Sequence, residues 1–243
     1  MFDIADGEAQ TALYRRIEAA LVAEIAQGAT KPGDRLPSEG ELARRFGVNR
    51  HTVRHAITGL VQRGLVRVER GRGAFLIGAA VEYALGPRTR FSENLQRLGR
   101  VPRHDILEIA ESFATKPVAK ALGIRVGRRI VTWRSIGRAD GCPISYATHH
   151  FPSERLPGLA EALRQTRSIS KAMADLGAGD YARAWTRIVA RAPSADEAAA
   201  LDISAVRPVL ATESLNLGPK GLAVDYGATV FAADRVQLVV DGR

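Results

Sequence analysis

The apolar positions in the N-terminal part of the chain predict three helices followed by a short hairpin. Apolar side chains recur at helical spacing over Ala12–Ala26, Leu42–Phe46 and Val53–Val61. Two shorter segments, Leu65–Val68 and Ala74–Ile77, have the composition of strands and are joined by a glycine-rich turn. The pattern therefore predicts a helical unit that closes with a two-stranded hairpin.

Polar and glycine residues at the predicted helix ends support this division. Ser38 with Glu41 three residues later has the spacing of a capping box, which fixes a helix start. Gly47 suits the left-handed residue that ends a helix, and Asn49 is a favourable N-cap for the next one, which ends at Gly64. Two capped helices with a tight turn between them predict a helix-turn-helix, and the hairpin after them predicts a wing.

Alternating apolar and polar positions dominate the rest of the chain and predict an α+β domain. The predicted strands are Asp105–Phe113, Ile130–Arg138, Ile144–Phe151, Tyr181–Ala192, Val209–Leu217, Leu222–Phe231 and Val236–Val240. The predicted helices are Pro117–Leu122, Leu159–Leu163, Ser170–Leu176 and Ser194–Leu201. Strands joined by hairpins imply an antiparallel sheet with helices on one face. The small residues of Gly78–Ala80 predict a linker, so we expect a winged helix-turn-helix domain at residues 1–78 and a second domain at residues 79–243.

Basic residues are concentrated in the predicted helix-turn-helix and wing. Between Arg44 and Arg72 there are eight arginines and one acidic residue, Glu69. A solvated basic surface is the usual explanation of such a run. Here the run coincides with two capped helices and a basic hairpin, and this combination favours binding to DNA phosphates.

The overall composition narrows the partners and the compartment. The 243-residue chain has a formal net charge of +9, which favours an anionic partner. Part of the basic excess lies beyond the linker and indicates either an anionic small ligand or a generally basic proteome. Cys142 is the single cysteine, so no intramolecular disulfide can form and a reducing compartment is favoured. The sequence has neither an apolar run of membrane-spanning length nor an apolar signal core, so we expect a cytoplasmic protein without a membrane partner.

Several segments resemble the GntR family of bacterial repressors. The segments that resemble its DNA-binding half are Leu36–Ala43, Phe46–Ala56 and Gly64–Val66. The rest resembles the HutC-type branch, whose effector domain, often called UTRA, has a chorismate-lyase-like fold. The matching segments there are Arg90–Asn94, Ala139–Pro143, Glu213–Ser214, Val224–Gly227 and Ala233–Arg235. Within this branch, Thr148–Pro152, Ser168–Ile169, Asp180–Arg183 and Ala232–Leu238 resemble regulators of phosphonate-uptake and C–P lyase operons.

The resemblance implies a repressor that binds double-stranded operator DNA. It implies that Arg50 and Arg54 contact DNA and that Gly71 of the wing enters the minor groove. Many family members carry an arginine where this chain has Gly40, so that contact is missing here. The expected operator contacts are Arg35, Ser38, Glu39, Arg45, Asn49, Arg50, His51, Thr52, Arg54, Arg70, Gly71 and Arg72.

The resemblance also implies an effector site between the sheet and the helix after the linker, which opens at Phe91–Glu93. Free backbone N–H groups at a helix start suit a phosphate, phosphonate or carboxylate. The expected effector-binding residues are Phe91, Ser92, Arg134, His149, Ser168, Arg183, Arg187, Glu213 and Tyr226. His149 and its neighbour His150 point to opposite faces of a strand, so one pocket can contain only one of them.

Two further features bear on the ligand and on the core. Sugar-responsive members carry two arginines, spaced by one residue, just before the Ala-Asp-Gly turn. This chain has Ser135 and Gly137 there, which disfavours a sugar phosphate held in that way. Trp133 and Trp185 are expected in the core rather than at the ligand.

The residues alone leave alternatives for the effector and for the function. The effector could be a small anion such as a phosphonate or phosphate, or a sugar phosphate or amino-acid derivative that controls another catabolic operon. An architectural DNA binder leaves the second domain unexplained. An enzyme on the lyase-like fold is disfavoured because the sequence lacks a Gly-x-Ser-x-Gly elbow, a phosphate-binding glycine loop and a His/Cys metal spacing, so no cofactor or metal is expected. We expect a homodimer through the second domain, with Val209–Leu217 and Val236–Val240 near a sheet edge.

Overall fold

The computed structural model describes residues 4–27, 30, 34–69, 71, 73–77 and 80–240. The chain divides into two compact units, Met1–Ala79 and Ala80–Arg243. Each unit contains its own cluster of buried apolar side chains. Among the described helices, none combines the length and the apolar character needed to cross a membrane.

The first unit consists of three helices and a hairpin. Its elements are α1 (Ile4–Ala26), α2 (Glu39–Phe46), α3 (Arg50–Gln62), β1 (Val66–Glu69) and β2 (Gly73–Leu76), and the two strands pair antiparallel. Leu21, Leu42, Val53, Leu60 and Val66 are buried in one core to which all three helices and the hairpin contribute. The predicted winged helix-turn-helix is confirmed, and α1 begins eight residues before the predicted Ala12, at Ile4.

The predicted caps set the geometry of the turn between α2 and α3. Ser38 Oγ accepts a hydrogen bond from the Glu41 amide at 3.3 Å, and the Glu41 carboxylate accepts one from the Ser38 amide at 2.7 Å. Gly47 adopts a left-handed conformation with a φ of 64°, which a residue with a Cβ reaches only with strain. Asn49 Oδ1 accepts from the Thr52 amide at 2.8 Å and starts α3. These contacts position the first turn of α3 beside the first turn of α2.

The second unit has α+β architecture. Its elements are β3 (Val81–Ala84), α4 (Phe91–Arg97), β4 (Pro102–Phe113), α5 (Lys116–Leu122), β5 (Arg129–Ala139), β6 (Cys142–Pro152), α6 (Leu159–Thr166), α7 (Ile169–Asp175), β7 (Ala182–Arg191), α8 (Ala195–Leu201), β8 (Val209–Leu217), β9 (Ala223–Ala232) and β10 (Val236–Val239). Six strands form an antiparallel sheet in the order β4-β5-β6-β9-β8-β7. The predicted strands and helices beyond the linker are present, with ends shifted by a few residues.

Strand β3 was not expected from the sequence and changes the topology. It pairs in parallel with β10, so β10 lies outside the six-stranded sheet. Strand β8 lies between β9 and β7, and the edges of the sheet are β4 and β7. Strand β8 is therefore next to the edge strand β7, and β10 is an edge of its own two-stranded sheet, so the prediction that both lie near a sheet edge is confirmed. The sequence did not reveal β3 because a four-residue strand beside a run of small residues shows almost no alternation of apolar and polar positions. Its partner, β10, also lies at the far end of the chain.

Helices cover both faces of the sheet, which corrects the prediction of one covered face. Helices α6 and α7 pack with Trp133 and Phe151 on one face. Helix α5 packs with Leu215 and Tyr226, and α8 packs with Val230, on the other face. Because successive side chains of a strand alternate between the faces, each candidate effector residue on the sheet belongs to one face only.

Candidate DNA-contact surface and effector pocket

Two arginines of α3 lie beside the first turn of α2. The Arg54 guanidinium forms two hydrogen bonds with the Glu39 carboxylate, from Nε at 3.0 Å and from Nη2 at 2.7 Å. The Arg54 hydrogen bond lowers the pKa of Glu39, and the pair raises the pKa of Arg54. The Arg50 guanidinium lies against Gly40, where an added Cβ would be 3.3 Å from Nη2. Both arginines are exposed at the start of α3.

The remaining predicted DNA contacts have different surroundings. Arg45 forms an ion pair with Glu24 of α1, and Arg35 lies against Gly73 of the wing. Ser38 and Asn49 use their side-chain oxygens as helix caps, and His51 is exposed. Gly71 is exposed with a φ of 77° at the wing turn, whereas Arg70 and Arg72 lie outside the described residues.

Thr52, one of the predicted DNA contacts, faces the core of the first unit rather than its surface. Its side chain is 3% exposed, and its hydroxyl is 2.9 Å from Asn49 Oδ1. A side chain buried in this way cannot reach a groove of DNA. The sequence placed Thr52 near the start of the helix correctly, but its position on the core side depends on how α3 rotates against α1.

The second unit contains a cavity of about 100 Å³ between α4, α7 and one face of the sheet. Five of the expected effector residues line it, namely Phe91, Ser92, His149, Ser168 and Arg183. Hydroxyl groups make up much of the rest of the lining, among them those of Ser135, Ser145, Ser170, Ser214 and Thr229. The cavity therefore combines a guanidinium and an imidazole with many neutral hydrogen-bonding groups.

The other four expected residues do not line this cavity. Arg134 forms an ion pair with Glu108 at 3.2 Å, and Arg187 lies 4.7 Å from the ring centre of Trp185. Glu213 and Tyr226 form a hydrogen bond with each other; burial first, and then the Glu213 charge, raises the pKa of Tyr226. By strand alternation all four belong to the opposite face of the sheet, so the prediction that they share a pocket with His149 is wrong.

A bulge in β7 explains part of this error. Arg183 and Arg187 are four residues apart and would share a face in a regular strand. The register of β7 against β8 shifts between Arg183 and Trp185, so that Arg183 reaches the cavity while Trp185 and Arg187 lie on the other face. The expectation of a core position for Trp185 is also wrong, because this side chain is only partly buried beneath Arg187.

A hydrogen-bond chain links two of the basic groups of the cavity, Arg183 and His149. Arg183 Nε donates to Asn216 Oδ1 at 2.9 Å, and Asn216 Nδ2 donates to Asp225 Oδ2 at 2.7 Å. Asp225 Oδ1 is 2.9 Å from His149 Nδ1. This arrangement assigns the Nδ1 proton of His149 to Asp225 and leaves Nε2 for other partners. The chain fixes Arg183 and His149 relative to each other before any ligand is bound.

The charged groups of this hydrogen-bond chain balance one another within the fold. Asp225 is 2% exposed. Burial alone would raise the pKa of Asp225, but His149, Asn216 and Arg183 outweigh it and hold the pKa below its usual range. Burial lowers the pKa of Arg183, although Asp225 opposes the change. Sequence reasoning missed Asp225 and Asn216; both occupy the strand positions that share a face with His149, a pairing that only the sheet order reveals.

Two glycines in the strands make room for rings at the cavity. A Cβ on Gly227 would lie 2.8 Å from His149 Cε1, and a Cβ on Gly137 would lie 2.6 Å from Phe91 Cζ. The Phe91 ring is 4.5 Å from that of His104, whose pKa is lowered to about 4, mainly by burial, so His104 is neutral at pH 7. Trp133 is buried as expected but also lines the cavity.

A second guanidinium, that of Arg90, also lies at the cavity. Arg90, at the start of α4, lies 3.7 Å from the ring centre of Tyr181 and donates to the Tyr181 carbonyl at 3.1 Å. Its charge remains close to the cavity, which it also lines. Within the described part of the chain, no group of three or more His, Cys, Asp or Glu side chains could hold a metal ion. Fixed positive groups and hydroxyls in a small cavity suit an oxyanion.

Comparisons with known proteins match both units. The family described as "Bacterial regulatory proteins, gntR family" matches residues 13–76, and the UTRA domain matches residues 97–237. An HTH-type transcriptional regulator of Rhizobium meliloti (strain 1021) is 38% identical over 95% of both chains. The "Probable transcriptional regulator PhnF" of Escherichia coli (strain K12) is 31% identical over 94% of both chains. The crystal structure of PhnF from Mycobacterium smegmatis superposes with a TM-score of 0.62 at 24% identity, covering 93% of this chain and 99% of that one. Some relatives are named for other pathways, such as histidine utilization.

Proposed function

This chain belongs to the GntR family of bacterial regulatory proteins, in the branch with a UTRA domain, and we propose that it is a repressor released from its operator by a small anion. Its family and named relatives are transcriptional regulators rather than enzymes. In this proposal the first unit binds operator DNA in the cytoplasm and the cavity of the second unit binds the effector. Residues 78 and 79 of the predicted linker lie outside the described residues.

The observation that supports an anionic effector is the fixed pair of basic groups, Arg183 and His149, in a cavity rich in hydroxyls. An arginine held by hydrogen bonds loses less entropy when it binds an oxyanion. The cavity volume of about 100 Å³ is below the roughly 150 Å³ of a cavity that accommodates benzene. Inorganic phosphate and methylphosphonate are therefore the first oxyanions to test.

The operon we propose is one for phosphonate uptake and C–P cleavage. Supporting it are the similarity to the Escherichia coli PhnF protein and the segments Thr148–Pro152 and Ala232–Leu238. The second candidate is a different catabolic operon with a sugar phosphate or an amino-acid-derived effector, because similar proteins are named for mannosyl-D-glycerate transport and metabolism and for histidine utilization.

Titration calorimetry combined with operator release tests the effector. The probes are inorganic phosphate, methylphosphonate, a sugar phosphate and a neutral sugar, with DNA from the region upstream of the gene. A ligand releases the protein only if it binds the DNA-incompetent form more tightly. We expect one of the two small oxyanions both to bind and to release the DNA. Binding of the neutral sugar alone would contradict an anionic effector.

Arg50→Ala and Arg54→Ala are each expected to weaken operator binding about 10- to 100-fold more than they weaken binding to scrambled DNA. An arginine that pairs with guanine contributes about 1–3 kcal/mol of discrimination. Arg72→Ala, at the expected wing tip, should weaken binding to both DNAs to a similar extent, because phosphate and minor-groove contacts contain less sequence information. Fluorescence anisotropy on both DNAs measures this. Equal losses on both DNAs for Arg50→Ala would argue against base reading.

A homodimer is expected, because one recognition helix covers few base pairs and two-fold dimers read two half-sites. Sedimentation at micromolar concentration should give twice the monomer mass of 26.2 kDa. The second unit alone should also dimerise if it forms the interface. A monomer at that concentration, both free and on operator DNA, would contradict the expectation.

A further inference from the structure

The first turn of α2 contacts both arginines with which α3 is expected to read the operator. Glu39 forms a two-point ion pair with Arg54, through Nε at 3.0 Å and Nη2 at 2.7 Å. The Arg54 side chain is 66% exposed and the Glu39 side chain is 35% exposed, so the pair stands at the surface rather than in the core. A two-point pair fixes the plane of the guanidinium as well as its position. Nη1 takes no part in the pair.

Gly40, the next residue, provides the surface on which Arg50 lies. A Cβ at position 40 would be 3.3 Å from Arg50 Nη2 and 3.6 Å from Cζ. Gly40 and Arg50 both line the groove between α2 and the start of α3. Glycine is among the poorest helix formers, and Gly40 has no positive φ that would require it. The helix itself therefore gives no reason for glycine at this position, whereas the path of the Arg50 side chain leaves room for no more than a small residue.

We propose that Glu39 and Gly40 are positioning residues that determine operator specificity without contacting bases. Glu39 fixes the guanidinium plane of Arg54, and the absent side chain at position 40 sets the path of Arg50 across α2. This inference rests on the proposed binding of operator DNA. It replaces the expectation that Glu39 itself contacts the operator, because its carboxylate is already paired and its charge repels phosphate.

The Glu39–Arg54 ion pair allows a test in which the loss of positioning and the loss of charge change DNA affinity in opposite directions. Glu39→Gln removes one negative charge, so binding to scrambled DNA should tighten as phosphate repulsion falls. The same change frees Arg54, so binding to the operator should weaken and the operator-to-scrambled affinity ratio should fall about tenfold. Glu18→Gln is the matched control. It breaks the ion pair of Arg63, which is not among the expected operator contacts, and removes the same charge, so it should tighten both complexes without changing the ratio.

Position 40 is tested by side-chain size. Gly40→Ala requires Arg50 to move only a few tenths of an ångström, so the ratio should change by less than about twofold, and thermal melting should show a more stable fold. Gly40→Met fills the space of the Arg50 guanidinium and should lower the ratio about tenfold while binding to scrambled DNA stays constant. Melting curves for each variant separate a loss of fold from a loss of specificity.

Anisotropy titrations at one salt concentration give the affinity ratio for the wild-type protein and the four variants. A wild-type ratio near one would defeat the proposed function itself. A high wild-type ratio that persists in Glu39→Gln and Gly40→Met would overturn the positioning role alone. An equal fall of the ratio in Glu18→Gln would also overturn it, because it would assign the effect to net charge.

Discussion

Asp225→Ala is expected to destabilise the second unit by about 3–5 kcal/mol and to abolish effector binding. The substitution removes a buried carboxylate that pairs with His149 and accepts a hydrogen bond from Asn216. Removing one partner of a buried pair costs about this amount, because the other partner stays buried and unpaired. His149 and Arg183 would also lose the connection that fixes their relative positions. Urea unfolding followed by circular dichroism measures the change in the free energy of unfolding.

Asp175→Ala is the control for this measurement. Asp175 lies at the exposed end of α7 in the same unit, so its removal should change the free energy of unfolding by less than about 0.5 kcal/mol. Because the two units can unfold in separate steps, the transitions should be analysed individually. A shift of less than about 1 kcal/mol in the second-unit transition of Asp225→Ala would show that the hydrogen-bond chain contributes little to stability.

Acid should weaken the second unit through the same carboxylate. The pKa of Asp225 lies below its usual range in the folded state, so the ionised form favours folding. This contribution is present above the unfolded pKa of about 3.9 and is lost as the pH falls through the folded pKa. The neutral side chain of Asp225→Asn cannot titrate, so that variant should lose less stability than the wild-type protein when the pH falls below about 4.

The sequence predicted the first unit well because its signals are local. Ser38 with Glu41, and Asn49 with Thr52, are cap contacts between residues three apart. Such contacts are determined by the chain segment itself and are independent of the rest of the fold. Even there, the orientation of Thr52 toward the core required the packing of α3 against α1.

The cavity of the second unit was harder to predict because its parts are joined by strand pairing. His149 and Asp225 meet because β6 pairs with β9, and Asn216 joins them because β8 pairs with β9. No local pattern specifies those neighbours. The bulge in β7 adds a second difficulty, since one extra residue reverses the face of every side chain after it. Strand alternation alone therefore grouped Arg183 with Arg187, which lie on opposite faces.

That separation makes Arg183 and Arg187 a matched pair for testing the cavity. We expect Arg183→Ala to weaken binding of the effector oxyanion about 10- to 100-fold, since hydrogen bonds to a charged group contribute about 1.5–3 kcal/mol. Arg187→Ala removes the same charge from the same strand, but its guanidinium stacks on Trp185 on the other face, so effector affinity should change by less than about twofold. Calorimetry with phosphate or methylphosphonate measures both variants. In operator-release assays, Arg183→Ala should stay bound to the DNA at effector concentrations that release the wild-type protein and Arg187→Ala.

Equal losses of affinity in the two variants would show that the net charge of the domain, rather than the cavity, attracts the anion. Unchanged binding in Arg183→Ala would reject the cavity as the effector site and leave the class of ligand standing.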